Sequence, residues 1–120
     1  MRSKNNTKQK GIARIFIFPE KDKYKAVCLD FDLIEEARTI KEVEKKITKV
    51  IAGYITTVCK NNLDDQLLNR HTEEKYWKMY EAYNKYITAK RSTNLNTPSK
   101  IKKSALLTMP LLEFVKNSKC

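Results

Sequence analysis

Four carboxylates lie close together in the sequence, where they could hold a hard cation or act as acid and base. Asp30, Asp32, Glu35 and Glu36 surround the end of one predicted strand and the start of the next. A magnesium or calcium site needs oxygen ligands that converge from more than one element. No acidic residue of the first predicted strand, or of the inner face of the following helix, could complete such a set. We therefore predict a charged turn with no metal ligand.

The residues for nucleophilic or phosphate chemistry are also missing. His71 is the single histidine, and it stands at a helix entry where an exposed role is common. A Cys–His pair would need Cys28 or Cys59, which both lie among apolar residues that favour packing. The chain has two glycines and none of the glycine-rich loops that bind phosphate. We predict that the protein is not an enzyme, has no catalytic residue and uses no cofactor.

The cysteines and the apolar pattern indicate a cytoplasmic protein. Three cysteines are an odd number, and their spacing fits neither a zinc knuckle nor a redox pair, so reduced thiols are expected. No apolar run is long enough to span a bilayer. Residues 1–10 lack the apolar core of a secretory signal.

The net charge of +11 is concentrated towards the two ends. Residues 1–10 carry four basic and no acidic residues, whereas residues 11–71 carry eleven basic and ten acidic ones. Residues 72–120 carry ten basic and four acidic ones. Basic tails bind nucleic acid nonspecifically, but they also simply keep proteins soluble, and both explanations stay open. The candidate nucleic-acid residues are Lys100, Lys102 and Lys103.

An antiparallel sheet is predicted to position the carboxylates. Three runs rich in β-branched and aromatic residues predict strands, and the short charged turn between the first two favours a hairpin. Pro19 is expected to end the first strand. The strands are predicted at about residues 12–18, 24–31 and 33–37.

A long helix over residues 40–60 is expected to cover this sheet. Thr39 and Glu42 form a capping box, and the apolar residues behind them recur at steps of three and four. Gly53 is expected to face a strand and to let helix and sheet approach closely. Together these elements predict an α+β fold with a three-stranded antiparallel sheet.

The second half of the chain leaves alternatives open. A second helix is predicted over residues 73–90 with an aromatic apolar face, which either packs on its own sheet or is covered by a partner. Residues 91–100 resemble a linker, and Pro110 interrupts the apolar segment that follows. This C-terminal segment is expected to be extended, either docking on a sheet edge or ordering only when it binds.

The stretch from Lys23 to Ile55 resembles the N-terminal domain of the HicB antitoxins. The resemblance covers about half of the chain, from Ile12 to Lys60, and implies a partial ribonuclease-H-like fold without the active-site carboxylates. It also implies that the protein binds and blocks HicA, a small basic ribonuclease toxin. Unlike the usual member, this module is nearly neutral and shows no C-terminal DNA-binding pattern. The matching positions are Tyr24, Ala26, Asp30, Thr39, Glu42 and Tyr54.

These observations divide the chain into a basic disordered leader (1–10), a HicB-like α+β domain with an added helix (11–90), and a linker with a C-terminal segment (91–120). We predict a non-catalytic protein-binding module, the antitoxin of a type II toxin–antitoxin pair. The alternative is a nucleic-acid-associated regulator that binds through its basic ends. Exposed sheet edges predict a homodimer. The predicted partner-binding residues are Asp30, Asp32, Glu35, Glu36, Tyr76, Trp77 and Tyr80.

Overall fold

The computed structural model describes residues 6–7, 10–90 and 104–111, with side chains described up to residue 88 in the second helix. It confirms the α+β class, but the sheet has four strands rather than three. All neighbouring strands are antiparallel, in the order β3-β2-β1-β4. The elements are β1 (Ile12–Glu20), β2 (Lys23–Cys28), β3 (Leu33–Ala37), α1 (Ile40–Lys60), a 3-10 turn (Asp65–Leu68), α2 (Glu74–Lys90) and β4 (Ala105–Pro110).

The fourth strand comes from the C-terminal segment and pairs with β1. Its register runs from Ile12 opposite Pro110 to Ile17 opposite Ala105. Docking on the sheet edge is therefore the arrangement that this segment adopts. The prediction of three strands was wrong because this pairing joins distant parts of the chain. A local sequence pattern does not identify which distant strand a segment pairs with.

Two strand ends differ from the prediction. β1 continues through Pro19, because β4 pairs only with Ile12 to Ile17 and leaves β1 with a single neighbour there. A proline, which lacks an amide hydrogen, is tolerated at such a half-paired position. β2 ends at Cys28 instead of Phe31, since residues 29–32 form a turn in which Asp32 has a left-handed φ of 58°.

The two helices cover opposite faces of the sheet, so the fold has three layers. The α1 face of β1 and β2 is formed by Ala13, Ile15, Ile17, Ala26 and Cys28, which pack with the buried stripe of α1. The opposite face is formed by Phe16, Phe18, Val27 and Leu29, which pack with Tyr76 and Trp77 of α2. The aromatic helix therefore packs on its own sheet.

The prediction for α1 is confirmed at both ends. The Thr39 hydroxyl accepts a hydrogen bond from the backbone amide of Glu42 at 3.1 Å, as an N-cap residue does. The expectation for Gly53 was wrong: the residue is exposed, and a Cβ atom added there would meet nothing within 4 Å.

Asn6, near the start of the described residues, is hydrogen-bonded to the 3-10 turn and the residue after it. Asn6 is 1% exposed, and its side-chain amide donates to the carbonyl of Leu68 at 2.9 Å. The Asn6 backbone amide also donates to the side chain of Asn69 at 2.6 Å. Asn6 lies within residues 1–10, the predicted leader, and these hydrogen bonds attach it to the 3-10 turn.

Two cysteines are described, and they differ in state. Cys28 is free and buried in the α1 face of the sheet, where burial raises the pKa of its thiol to about 12. Cys59 is disulfide-bonded, so the expectation of reduced thiols was wrong for this residue. Neither helix in the described part of the chain is both long and apolar enough to cross a membrane.

Candidate partner-binding site

Asp30 is buried rather than available to a partner. It is 1% exposed, and its carboxylate forms a two-pronged ion pair with Arg14, through Nη2 at 2.6 Å and Nε at 3.2 Å. The backbone amide of Arg14 donates to the same carboxylate at 2.8 Å. Burial lowers the pKa of Arg14, but the hydrogen bonds and charge of Asp30 outweigh it, so the pKa is raised overall. This carboxylate holds β1 against the turn after β2.

Helix α2 covers this ion pair with its aromatic residues. The Arg14 guanidinium lies 4.8 Å from the ring centre of Trp77, which is itself 1% exposed. His71 and Tyr80 contact the same indole edge-on, at ring-centre distances of 5.5 and 5.9 Å. The arrangement is a packed polar core, which we call the Arg14 cluster, and it joins the start of α2 to the sheet.

His71 marks the point where the chain enters this cluster. Its backbone amide donates to the carbonyl of Asp30 at 3.2 Å, and its φ of 36° is left-handed. Its Nε2 atom is buried without a hydrogen-bond partner among the described residues. The imidazole packs edge-on against the indole of Trp77.

Asp32 is separated from Asp30 by the turn. It is exposed, and its carboxylate accepts a hydrogen bond from the Thr72 hydroxyl at 2.8 Å. Within the described ranges, no three His, Cys, Asp or Glu side chains are grouped as a metal site requires. The two aspartates thus tie the β2–β3 turn to the segment before α2.

Strand β3 forms an outer edge of the sheet, and the two exposed large hydrophobic residues of the described chain lie on either side of it. Ile34 is 41% exposed and pairs with Val27, so it lies on the α2 side of β3. Val50 is 36% exposed and stands one helical turn after Lys46, whose ammonium donates to the carbonyl of Glu36 at 3.0 Å. Val50 therefore lies on the α1 flank that borders β3.

We call this region the β3 edge surface and define it by Asp32, Ile34, Glu35, Glu36 and Val50. Glu35 is half-buried, whereas Glu36 is exposed, with its carboxylate 3.7 Å from the ammonium of Lys25. Lys25 also pairs with Glu20 at 2.9 Å, and this hydrogen bond, acting against burial, raises the pKa of Lys25. The edge thus combines exposed carboxylates with exposed apolar side chains.

The structure separates the predicted partner-binding residues into two groups. Three of the acidic ones lie on the β3 edge surface, whereas the rest belong to the α2 side of the core. Tyr80 is half-buried there. The predicted nucleic-acid residues, Lys100, Lys102 and Lys103, lie outside the described residues.

Arg14, Ile34 and Val50 were not predicted as site residues. An arginine within the otherwise apolar run Ile12–Phe18 could have indicated a buried partner, because arginine is seldom buried unless it is paired. No sequence signal distinguishes Ile34 or Val50 from core residues. Val50 is exposed at the flank of α1. Ile34 is exposed because the described cluster that packs against α2 contains no residue of β3.

Comparison with protein-family models, with curated proteins and with solved structures found no match. The likeness to HicB antitoxins therefore depends on the motif residues of the sequence.

Proposed function

We propose that the chain is a non-catalytic, HicB-like protein-binding module that binds a basic partner through the β3 edge surface. The observation that supports this most is the outer side of β3, which no described strand pairs with and which has exposed Ile34 and Val50 on its two flanks. The partner class is a small basic ribonuclease of the HicA type, and the role is that of an antitoxin.

Strand addition is the binding mode that suits such an edge. An extended segment of the partner forms main-chain hydrogen bonds with β3, and side-chain contacts on both flanks provide specificity. Ile34 and Val50 each retain apolar area that such a segment would cover. Burying the exposed part of each side chain contributes on the order of 1 kcal/mol.

The carboxylates favour a basic partner over a second copy of the chain. In a two-fold antiparallel pairing centred on Ile34, Asp32 would lie opposite Glu36 of the other copy. If the pairing were centred on Glu35, Glu35 of one copy would lie opposite Glu35 of the other. Like charges directly opposite each other destabilise a strand pair, whereas Lys or Arg in a partner strand would be attracted.

The predicted homodimer is therefore better assigned to the other outer strand. β4 (Ala105–Pro110) contains no charged residue, and several of its apolar side chains are half-exposed. No described strand pairs with its outer side. Pairing of β4 with its copy would bring no like charges together.

The proposal is tested by titrating the chain with any small basic protein that a neighbouring gene encodes and measuring binding by calorimetry. The absence of such a gene would contradict the antitoxin role. Glu36→Lys reverses a charge on the β3 edge surface, and we expect it to weaken binding at least tenfold. Glu44→Lys makes the same change on exposed α1, away from β3, and serves as the matched control. Equal losses in the two variants, or no binding by the unmodified chain, would refute the proposal.

A further inference from the structure

The solvent-facing side of α1 carries a row of lysines. Lys41, Lys45 and Lys49 follow one another every four residues, and all three are exposed. At a rise of 1.5 Å per residue, the row spans about 12 Å. It lies opposite the stripe that α1 buries against the sheet, which includes Val43 and Ile47.

These lysines have no ion-pair partner among the described residues. Like charges one helical turn apart destabilise a helix by about 0.2–0.5 kcal/mol per pair. Glu44 offsets only part of this charge. The row borders a shallow depression of about 530 Å³, lined by Lys41, Glu44, Lys45, Thr48, Lys49 and Ala52.

We propose that this lysine row binds the phosphate backbone of a nucleic-acid duplex. The charges are complementary, since the row presents three exposed ammonium groups without an ion-pair partner among the described residues, and a duplex is a regular array of negative charges. Single strands are usually held by bases stacked on exposed aromatic rings. The depression beside the row has no aromatic residue in its lining, which favours a duplex.

This site is separate from the β3 edge surface and does not depend on the proposed function. Val50 faces the flank of α1 that borders β3, whereas the row lies on its outermost side. It is also separate from the basic ends of the chain, which carry most of the net charge. Each surface can therefore be altered without changing the other.

The test measures the affinity for a fluorescently labelled DNA duplex of about 20 base pairs by anisotropy over a series of salt concentrations. The unmodified chain is compared with the triple variant K41Q/K45Q/K49Q. Each lost phosphate contact should lower the slope of log affinity against log salt by about 0.9, and all three together by about 2.7. The matched control is K75Q/K78Q/K85Q, which removes three exposed lysines from α2.

We expect the control to retain a clearly steeper salt dependence and a tighter affinity than the α1 variant. Equal losses in the two variants would show that only net charge matters and would overturn the proposal. It would also be overturned if the unmodified chain did not bind the duplex at low salt. The same measurements are made with one strand of the duplex and with polyglutamate. Tighter binding of the single strand than of the duplex would contradict a duplex site. So would a loss of affinity for polyglutamate in the α1 variant as large as its loss for the duplex.

Discussion

At the scale of residues, the two aspartates of the acidic turn, Asp30 and Asp32, differ in burial. Asp30 is a conspicuous acidic residue in the sequence, next to Asp32, and both were predicted to face a partner. In the fold Asp30 is buried against Arg14, whereas Asp32 remains exposed. Sequence spacing alone cannot separate them, because the left-handed turn at Asp32 breaks the alternation of an extended chain.

We expect Asp30→Asn to lower the free energy of unfolding by about 2–4 kcal/mol, because it leaves the guanidinium of Arg14 largely buried without its counter-charge. Asp32→Asn keeps an oxygen that can accept from the Thr72 hydroxyl and removes only a surface charge, so it should cost about 1 kcal/mol or less. Urea unfolding followed by circular dichroism measures both changes. Similar losses in the two variants would contradict the structural role given to Asp30.

At the scale of elements, local signals were sufficient where an element is defined by its own residues. The cap at Thr39 and the apolar stripe behind it predicted α1 to the residue. The aromatic pattern of α2 predicted a helix but left open whether its aromatic face packs on its own sheet or is covered by a partner. β1 is apolar on both faces, and this pattern indicates that the sheet is covered on two sides.

The pairing of the fourth strand could not be predicted from local sequence patterns. The segment Ala105–Pro110 has a strand-like composition, but Pro110 suggested an interruption. The proline stands at the last position of β4, opposite Ile12. The strand pairing therefore ends at this proline and is not interrupted by it. Only the tertiary structure reveals that β1 has a free side to receive this strand.

Gly53 provides a prediction at this scale. We expect Gly53→Ala to raise the free energy of unfolding by about 1 kcal/mol, since the residue lies in an exposed helical position and the added Cβ meets no atom within 4 Å. Urea unfolding measures the change. Ala52→Gly, at the neighbouring position, is the control and should lower stability. A destabilised Gly53→Ala variant would show that this position is not open.

At the scale of the whole molecule, charge is segregated in a way that sums along the sequence cannot show. Residues 11–71 are nearly neutral in total. In the fold, carboxylates gather at the outer edge of β3, and lysines line the outer side of α1. The chain therefore presents two surfaces of opposite character, and each fits a different class of partner.

The HicB resemblance fits this arrangement in one respect. Such antitoxins usually have an acidic surface, and the proposed interface includes the exposed carboxylates of Asp32 and Glu36 although the module is nearly neutral in total. The fold class, both helices and three of the strands could be predicted from the sequence. The edge surface could not, because the exposure of Ile34 depends on how far α2 covers its face of the sheet, and that of Val50 on how α1 crosses the other face.

The most direct test of strand addition is hydrogen–deuterium exchange on the complex with whichever small basic protein binds the chain in the calorimetric titration. We predict that amides of β3 (Leu33–Ala37) that do not bond to β2 become protected in the complex, because they then donate to the partner's strand. Exchange at the outer edge of β4 should not change. A stable complex in which β3 amides exchange as fast as in the free protein would contradict the proposed interface.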